Sequence, residues 1–374
     1  MKRVVEFVSS MNEGGAETLV KDYALLSDRK KVEIIVLTIY PPSIQHANYR
    51  LLKQAGKEVV SVYHRYPVFK NKILYSIWYH LFHQPYVIFR LRKILLKLKP
   101  DCIHVHLELL HFLKPLSKML QGTKLFYTCH SKPSRYFNDT NRKNELQAAK
   151  LLITRNNLRI IALHSKMQSE LNELFGIDNT IVVPNGVKFS NFLIPDTKNE
   201  IRRQLGIPEE SFVIGHVGRF SYMKNHTFLV DVFVEILKIR PNAFLFMIGD
   251  GDKKENTIDK LHNFGLDDKY LILSHRTDVP RLLKAMDVFV FPSTFEGLPV
   301  SVVEAQIANL RCVISDAVTD ECFFGKDAVP FSLSRKASEW ADAILSESYN
   351  GPYRNDINNF DMDNVMRKLE NLYI

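Results

Sequence analysis

Cysteine is scarce in this chain. The 374 residues hold four, Cys102, Cys129, Cys312 and Cys322, none at a paired short spacing. That argues against both a zinc module and a disulfide framework, and fits reduced thiols in a cytosolic compartment. The Met1-Lys2-Arg3 start before Val4–Val8 is too brief for a signal peptide and reads as the entry to a first buried strand. Low-complexity segments and short-period repeats are missing. So is the G-x-G-x-x-G fingerprint, which counts against an NAD or FAD enzyme. Acidic residues are missing from 59–100, where eight basic ones stand. His80, His83, Gln84 and Pro85 break the apolar pattern there, so no spanning helix is expected.

What is present describes a globular α/β protein. The chain is 46% hydrophobic and 24% charged, and its length suits two domains better than one core. Its net charge of +9 is unevenly placed: residues 1–187 carry 28 Lys and Arg against 14 Asp and Glu. The stretch 59–100 also holds Tyr63, Tyr66, Phe69, Tyr75, Trp78, Tyr79, Phe82, Tyr86 and Phe89. Arg90–Lys99 has amphipathic helical spacing with a basic face. Two readings stand: contact with an anionic membrane surface through 65–99, or a helix packed on its own sheet with a solvated basic side.

Seven strands alternate with helix-sized segments up to Val183: Val4–Val8, Glu33–Thr38, Glu58–Val62, Cys102–His106, Lys124–Thr128, Arg159–Leu163 and Ile181–Val183. The pattern restarts with Phe212–Val217, Phe244–Ile248, Tyr270–Leu273, Val288–Phe291 and Arg311–Ser315. Helices are expected over Ala16–Leu26, Val87–Leu98, Lys224–Ile239 and Leu298–Ala308. Val/Ile/Leu-rich strands separated by helices indicate parallel sheets. Pro184-Asn185-Gly186 is a turn signal. The expected domains are 1–186 and 187–360, with a last helix of about 361–374 returning to the first, and a ligand cleft is expected at the strands' carboxyl ends.

Three blocks carry chemistry. In Phe291-Pro292-Ser293-Thr294-Phe295-Glu296-Gly297-Leu298-Pro299-Val300, a buried strand runs through a loop into a helix expected to begin near Leu298 or Pro299. Amides of Gly297, Leu298, Val300 and Ser301 would then offer a phosphate site. Glu296 at that helix mouth reads either as functional or as compensation for the helix dipole. Arg219 and Lys224 follow the strand ending in Gly215-His216-Val217-Gly218, where two cations suit a diphosphate; surface salt bridging is the plainer alternative. Asn12-Glu13-Gly14-Gly15-Ala16-Glu17 lets backbone approach a ligand at a helix start.

Together with Tyr127-Thr128-Cys129-His130, Val183-Pro184-Asn185-Gly186-Val187, Ile248-Gly249-Asp250-Gly251 and the Glu296/Glu304 spacing, these blocks resemble the retaining GT-B-fold glycosyltransferases of the family 4 type. The resemblance spans nearly the whole chain. It implies two Rossmann-like, doubly wound parallel-sheet domains facing across a cleft. It implies donor diphosphate on Arg219 and Lys224, and Glu296 beside the transferred sugar. Glu304 would hold the ribose, Arg276 lies where backbone cradles the base, Gly15 approaches phosphate, and His130 meets the sugar. Lys188 departs from the acidic residue the family often has there.

The resemblance further implies a hexose or N-acetylhexosamine moved from a nucleotide-diphosphate sugar, UDP favoured, with retention. The expected acceptor is a polyprenyl-diphosphate-linked glycan or polysaccharide of the cell surface, in capsule or exopolysaccharide synthesis. The expected location is cytoplasmic, peripheral on the inner membrane face. A soluble acceptor, or a non-catalytic sugar-nucleotide or membrane-binding module, are the alternatives. No cofactor or metal is expected; Asp250-Gly251-Asp252 and the cluster His104, His106, Glu108 and His111 are read as decoys. No nucleic-acid motif accompanies the basic charge.

Overall fold

The computed structural model describes every residue except 13, 68–70, 138, 140–141, 347–349 and 352–354, and leaves out the side chains of 74, 75 and 80. Glu13 and Phe69 thus lie outside the described residues, as do the side chains of Tyr75 and His80. The chain forms two compact units, Met1–Asn185 with Asp363–Ile374, and Gly186–Met362.

In the first unit the strands are β1 (Lys2–Val8), β2 (Val32–Thr38), β3 (Val59–Ser61), β4 (Cys102–His106), β5 (Lys124–Thr128), β6 (Arg159–Ala162) and β7 (Ile181–Val182). They form one parallel sheet in the order β3-β2-β1-β4-β5-β6-β7. Parallel strands need helical crossovers that cover both faces, so their sequences are apolar throughout. Val4, Val5, Phe7 and Val8 of β1 are fully buried accordingly. The last helix, Met362–Tyr373, buries Val365, Met366, Leu369 and Tyr373, one stripe at helical spacing. Glu370 secures it by accepting the Asp28 amide at 2.8 Å.

The second unit holds β8 (Phe212–Val217), β9 (Ala243–Ile248), β10 (Tyr270–Leu273), β11 (Val288–Phe291), β12 (Arg311–Ser315) and β13 (Ala328–Phe331). Its parallel order is β10-β9-β8-β11-β12-β13. Phe233, Leu245, Met247, Val290 and Trp340 centre its core. The start of β8 is tied by Asp287, which accepts from the Val213 amide at 2.7 Å, Arg202 at 2.6 Å and Lys198 at 2.8 Å. Burial pushes that carboxyl up, but these three bonds hold it below its ordinary range.

Three expectations are corrected. Strand β13 was not foreseen because Pro330 interrupts its pattern; it is an edge strand, where a missing N–H is tolerated. The helix after β8 starts at His226, not Lys224, because Asn225 adopts a left-handed conformation with φ 56°. The helix after β11 starts at Val300, with Pro299 at its N-cap. Leu298 precedes a proline and is disfavoured in the helical region, and Pro299 itself is extended with ψ 100°, so the helix does not start before Val300.

Candidate active site

In both sheets the strand order reverses once, between β1 and β4 and between β8 and β11. Loops leaving the carboxyl ends of such strands flank the crevice where open α/β sheets bind ligands. In the second unit those loops are Gly218–Asn225 and Pro292–Pro299.

The two loops meet through one ion pair. Lys224 Nζ lies 2.7 Å from Glu296 Oε1, with both side chains about nine-tenths buried. The same oxygen accepts the Ser293 hydroxyl at 2.6 Å, and Ser293 has no accessible surface. The Lys224 ammonium also sits 4.5 Å above the Phe291 ring, a cation–π contact. Backbone joins the loops again, since Thr294 donates its amide to the Met223 carbonyl at 2.9 Å. Because the α-helix starts only at His226, Lys224 stands at the end of the short 3-10 turn Tyr222–Lys224, from which it reaches Glu296.

Glycine makes the floor of this turn. A Cβ on Gly249 would lie 2.0 Å from the Gly218 carbonyl oxygen, and one on Gly251 2.3 Å from that of Phe220. The turns after β8 and β9 therefore touch through backbone, and only glycine allows it.

The remaining donor-side candidates differ in state. Arg219 is exposed and forms no ion pair among the described residues. Gly297 and Leu298 are buried, while Val300 and Glu304 are half-buried. The first amides of helix Val300–Ile307 have no helical carbonyl behind them. Arg276 is engaged by its neighbour: its guanidinium donates to both Asp278 oxygens, at 2.8 and 2.6 Å. Asp250 of the Asp-x-Asp pair faces His275 at 3.1 Å and Lys254 at 3.9 Å.

In the first unit, Gly15 opens helix Gly15–Leu26, and a Cβ there would meet nothing within 4 Å. His130 follows β5 and is half-buried. Its Nε2 lies 2.9 Å from His106 Nδ1, and His106 Nε2 lies 2.7 Å from Glu6 Oε2. Beside them, Tyr373 donates to Glu6 Oε1 at 2.7 Å, and His104 Nδ1 lies 2.6 Å from that phenol. Thr128 closes the group, 2.7 Å from His104 Nε2. Glu6, His104 and His106 are close enough to hold a metal ion, yet each donor atom already has a hydrogen-bond partner. Their arrangement is that of a satisfied polar core.

Comparison with known proteins decides the family. Residues 13–190 match the model of Glycosyltransferase Family 4, and residues 197–357 that of Glycosyl transferases group 1. The chain belongs to the GT-B glycosyltransferases of the family 4 type. This glycosyltransferase is 28% identical over 365 residues to EpsF of Bacillus subtilis (strain 168), a protein assigned to the glycosyltransferases; the match covers 92% of this chain and 87% of EpsF. It is 30% identical over 249 residues to the UDP-Gal:alpha-D-GlcNAc-diphosphoundecaprenol alpha-1,3-galactosyltransferase of Escherichia coli, covering 62% of each chain. In fold it is similar to Anabaena HepE, solved with UDP and glucose. The TM-score is 0.77 at 20% identity, over 100% of this chain and 99% of the other.

Several residues of this glycosyltransferase's sites escaped sequence reasoning. Ser293 lies in the Phe291–Val300 segment, but nothing in its spacing announces that it shares a Glu296 oxygen with Lys224. His216 and His226 also crowd the Lys224 turn. His216 Nδ1 donates to the Val290 carbonyl at 2.8 Å, while its Nε2 and both nitrogens of His226 are buried without a partner. Burial first, then neighbouring positive groups, lowers His216 to about 4 and His226 to about 2. Both are therefore neutral packing rings, stacked with Phe291 and Phe220 respectively.

Proposed function

We propose that this glycosyltransferase moves a hexose or N-acetylhexosamine from a UDP-sugar to a lipid-linked oligosaccharide or polysaccharide acceptor, with retention of configuration and without a metal. The Lys224–Glu296 pair carries the reading. A glycosyl diphosphate that breaks at the anomeric carbon gathers negative charge on phosphate and positive charge on the sugar. A cation and a carboxylate held within one hydrogen bond of each other can serve those opposite needs. Lys224 and Arg219 take the diphosphate, joined by the amides of Gly297, Leu298 and Val300. Glu296 stands by the sugar, Glu304 holds the ribose, and Arg276 marks the base region. In the first unit, Gly15 and His130 serve the phosphate and the sugar hydroxyls. Ser293 fixes the Glu296 carboxylate, so the acid is oriented before the donor arrives.

UDP is favoured by the names of similar proteins: HepE was solved with UDP-glucose, and the Escherichia coli relative is named for UDP-Gal. That relative's diphosphoundecaprenol acceptor, and the alpha-monoglucosyldiacylglycerol synthase of Acholeplasma laidlawii, 27% identical over 263 residues and covering 64% of this chain and 65% of its own, support a lipid-borne acceptor. The surface supports it too. The helical run Lys72–Trp78, Tyr79–His83 and Gln84–Leu98 leaves Ile73, Leu81, Phe82, Phe89 and Leu96 more than half exposed, with Arg92, Lys93 and Lys97 exposed on the last of these helices. No helix of the described residues is long and apolar enough to cross a membrane, and this stretch suits shallow docking on an anionic leaflet.

A nucleotide-sugar screen by thermal shift tests the donor, because a bound donor raises apparent stability. UDP-sugars should raise the midpoint and release UDP, with chelator making no difference. A strict Mn²⁺ requirement would overturn the metal-free assignment. Co-sedimentation with vesicles of anionic phospholipid, weakened by salt, tests the docking surface. Equal binding to neutral vesicles at high salt would count against its electrostatic part.

A further inference from the structure

The buried polar group of the first unit fixes more than a shape. Glu6 lies on β1, directly across from His104 on β4, and has no accessible surface. Burial pushes its carboxyl up, but His104 and His106 outweigh that and hold it far below the ordinary range. An ionised carboxylate only accepts hydrogen bonds. Its Oε1 accepts a hydrogen bond from the Tyr373 hydroxyl, and its Oε2 accepts one from His106 Nε2.

The rest follows without free choice. His106 is held down to about 4, by burial first and then by His104, so it is neutral at pH 7 and carries one ring proton. That proton is on Nε2, which makes Nδ1 an acceptor. Its partner at 2.9 Å, His130 Nε2, must then donate. Burial also holds His130 well below its ordinary range. A neutral His130 with its proton on Nε2 keeps a lone pair on Nδ1. The side branch agrees: the Tyr373 hydroxyl donates to Glu6, so His104 Nδ1 donates to the Tyr373 oxygen, while Thr128 Oγ1 lies 2.7 Å from His104 Nε2.

We propose that Glu6 and His106 are positioning residues that lock His130 in its Nε2–H tautomer, so that His130 Nδ1 can only accept a hydrogen bond from a substrate hydroxyl. The inference deepens the reading that His130 meets the transferred sugar, and rests on it. It adds a chemical selectivity: a hydroxyl can donate to Nδ1, whereas a carboxylate or phosphate oxygen placed there finds a lone pair and no proton. It also makes β1, two imidazoles away, the element that decides what His130 offers.

Long-range ¹H–¹⁵N spectra of the full chain with ¹⁵N-labelled histidine read the tautomer directly. His130, assigned by the loss of its signals in His130→Gln, should show a bare Nδ1 and a protonated Nε2 near pH 7.5. In Glu6→Gln, the amide can donate as well as accept, so His106 and His130 should leave the single tautomer. Turnover of the UDP-sugar used by the wild type should then fall about tenfold or more, while UDP affinity stays within about twofold. A proton on His130 Nδ1 in the wild type would overturn the proposal even if Glu6→Gln does not fold. So would a Glu6→Gln chain with an unaltered tautomer and full turnover. Full turnover in His130→Ala would instead remove the underlying role of His130, an outcome the spectra distinguish.

Discussion

Glu6 and Tyr373 stand 367 positions apart in the chain and share a buried hydrogen bond of 2.7 Å. The first strand's only buried carboxylate is thus completed by the last helix. The end of the chain is part of the first unit's core, and it sits two bonds from the His106–His130 line.

Tyr373→Phe keeps the ring's packing and removes the donor. Glu6 Oε1 then loses its partner in a dry site, which should cost about 1–3 kcal/mol of stability. Denaturant unfolding monitored on the first unit measures it. A variant as stable as the wild type would show that Glu6 has another donor.

The glycines separate architecture from ligand approach. Gly249→Ala forces a methyl against the Gly218 carbonyl and should destabilise by about 1–3 kcal/mol or more. Gly15→Ala meets open space and should leave the thermal midpoint unchanged or slightly raised, yet turnover should drop if backbone there approaches phosphate. Full activity in a stable Gly15→Ala chain would remove Gly15 from the donor site.

A mutant cycle tests the buried pair. Lys224→Ala strands the Glu296 carboxylate, about nine-tenths buried, and should lose about 3–5 kcal/mol. Adding Glu296→Gln should restore much of that stability but none of the activity. Additive losses in the double variant, measured by thermal and chemical unfolding, would show that the two groups do not interact.

Acid should weaken the fold in a defined window. His106 and His216 are held near 4, His226 near 2, and His130 well below its ordinary range, each mainly by burial. In the unfolded chain each takes a proton near pH 6.5. Between that value and the lower folded ones the unfolded state binds more protons, so stability falls as pH falls. The slope is about 1.4 kcal/mol per pH unit for each histidine. Glu6 adds to the loss below about pH 4.5, where the unfolded carboxyl takes up a proton. The thermal midpoint should be flat above pH 7 and decline steadily from 6.5 toward 4; a midpoint that holds or rises on acidification would contradict this.

Much of the fold could be read from periodicity. Strands β4, β5, β8, β10, β11 and β12 fall on their expected residues, because each is a short, largely apolar run bounded by turn or polar residues. The failures have local causes: Pro330 hid an edge strand, Pro299 delayed a helix, and the left-handed Asn225 released Lys224 onto a turn. The resemblance pointed to Lys224 and Glu296, but no spacing rule predicts their 2.7 Å contact or the shared Ser293 hydroxyl. The Glu6–His106–His130 line was less legible still. Its members come from β1, β4 and the loop after β5, with Tyr373 of the final helix beside them, and nothing in the sequence pairs Glu6 with His106 or His106 with His130.

Titration calorimetry of UDP shows whether the turn after β8 grips a diphosphate. Arg219 is exposed, so Arg219→Ala should keep the fold while weakening UDP binding by about tenfold or more. Unchanged UDP affinity in a folded Arg219→Ala chain would take the diphosphate away from this turn.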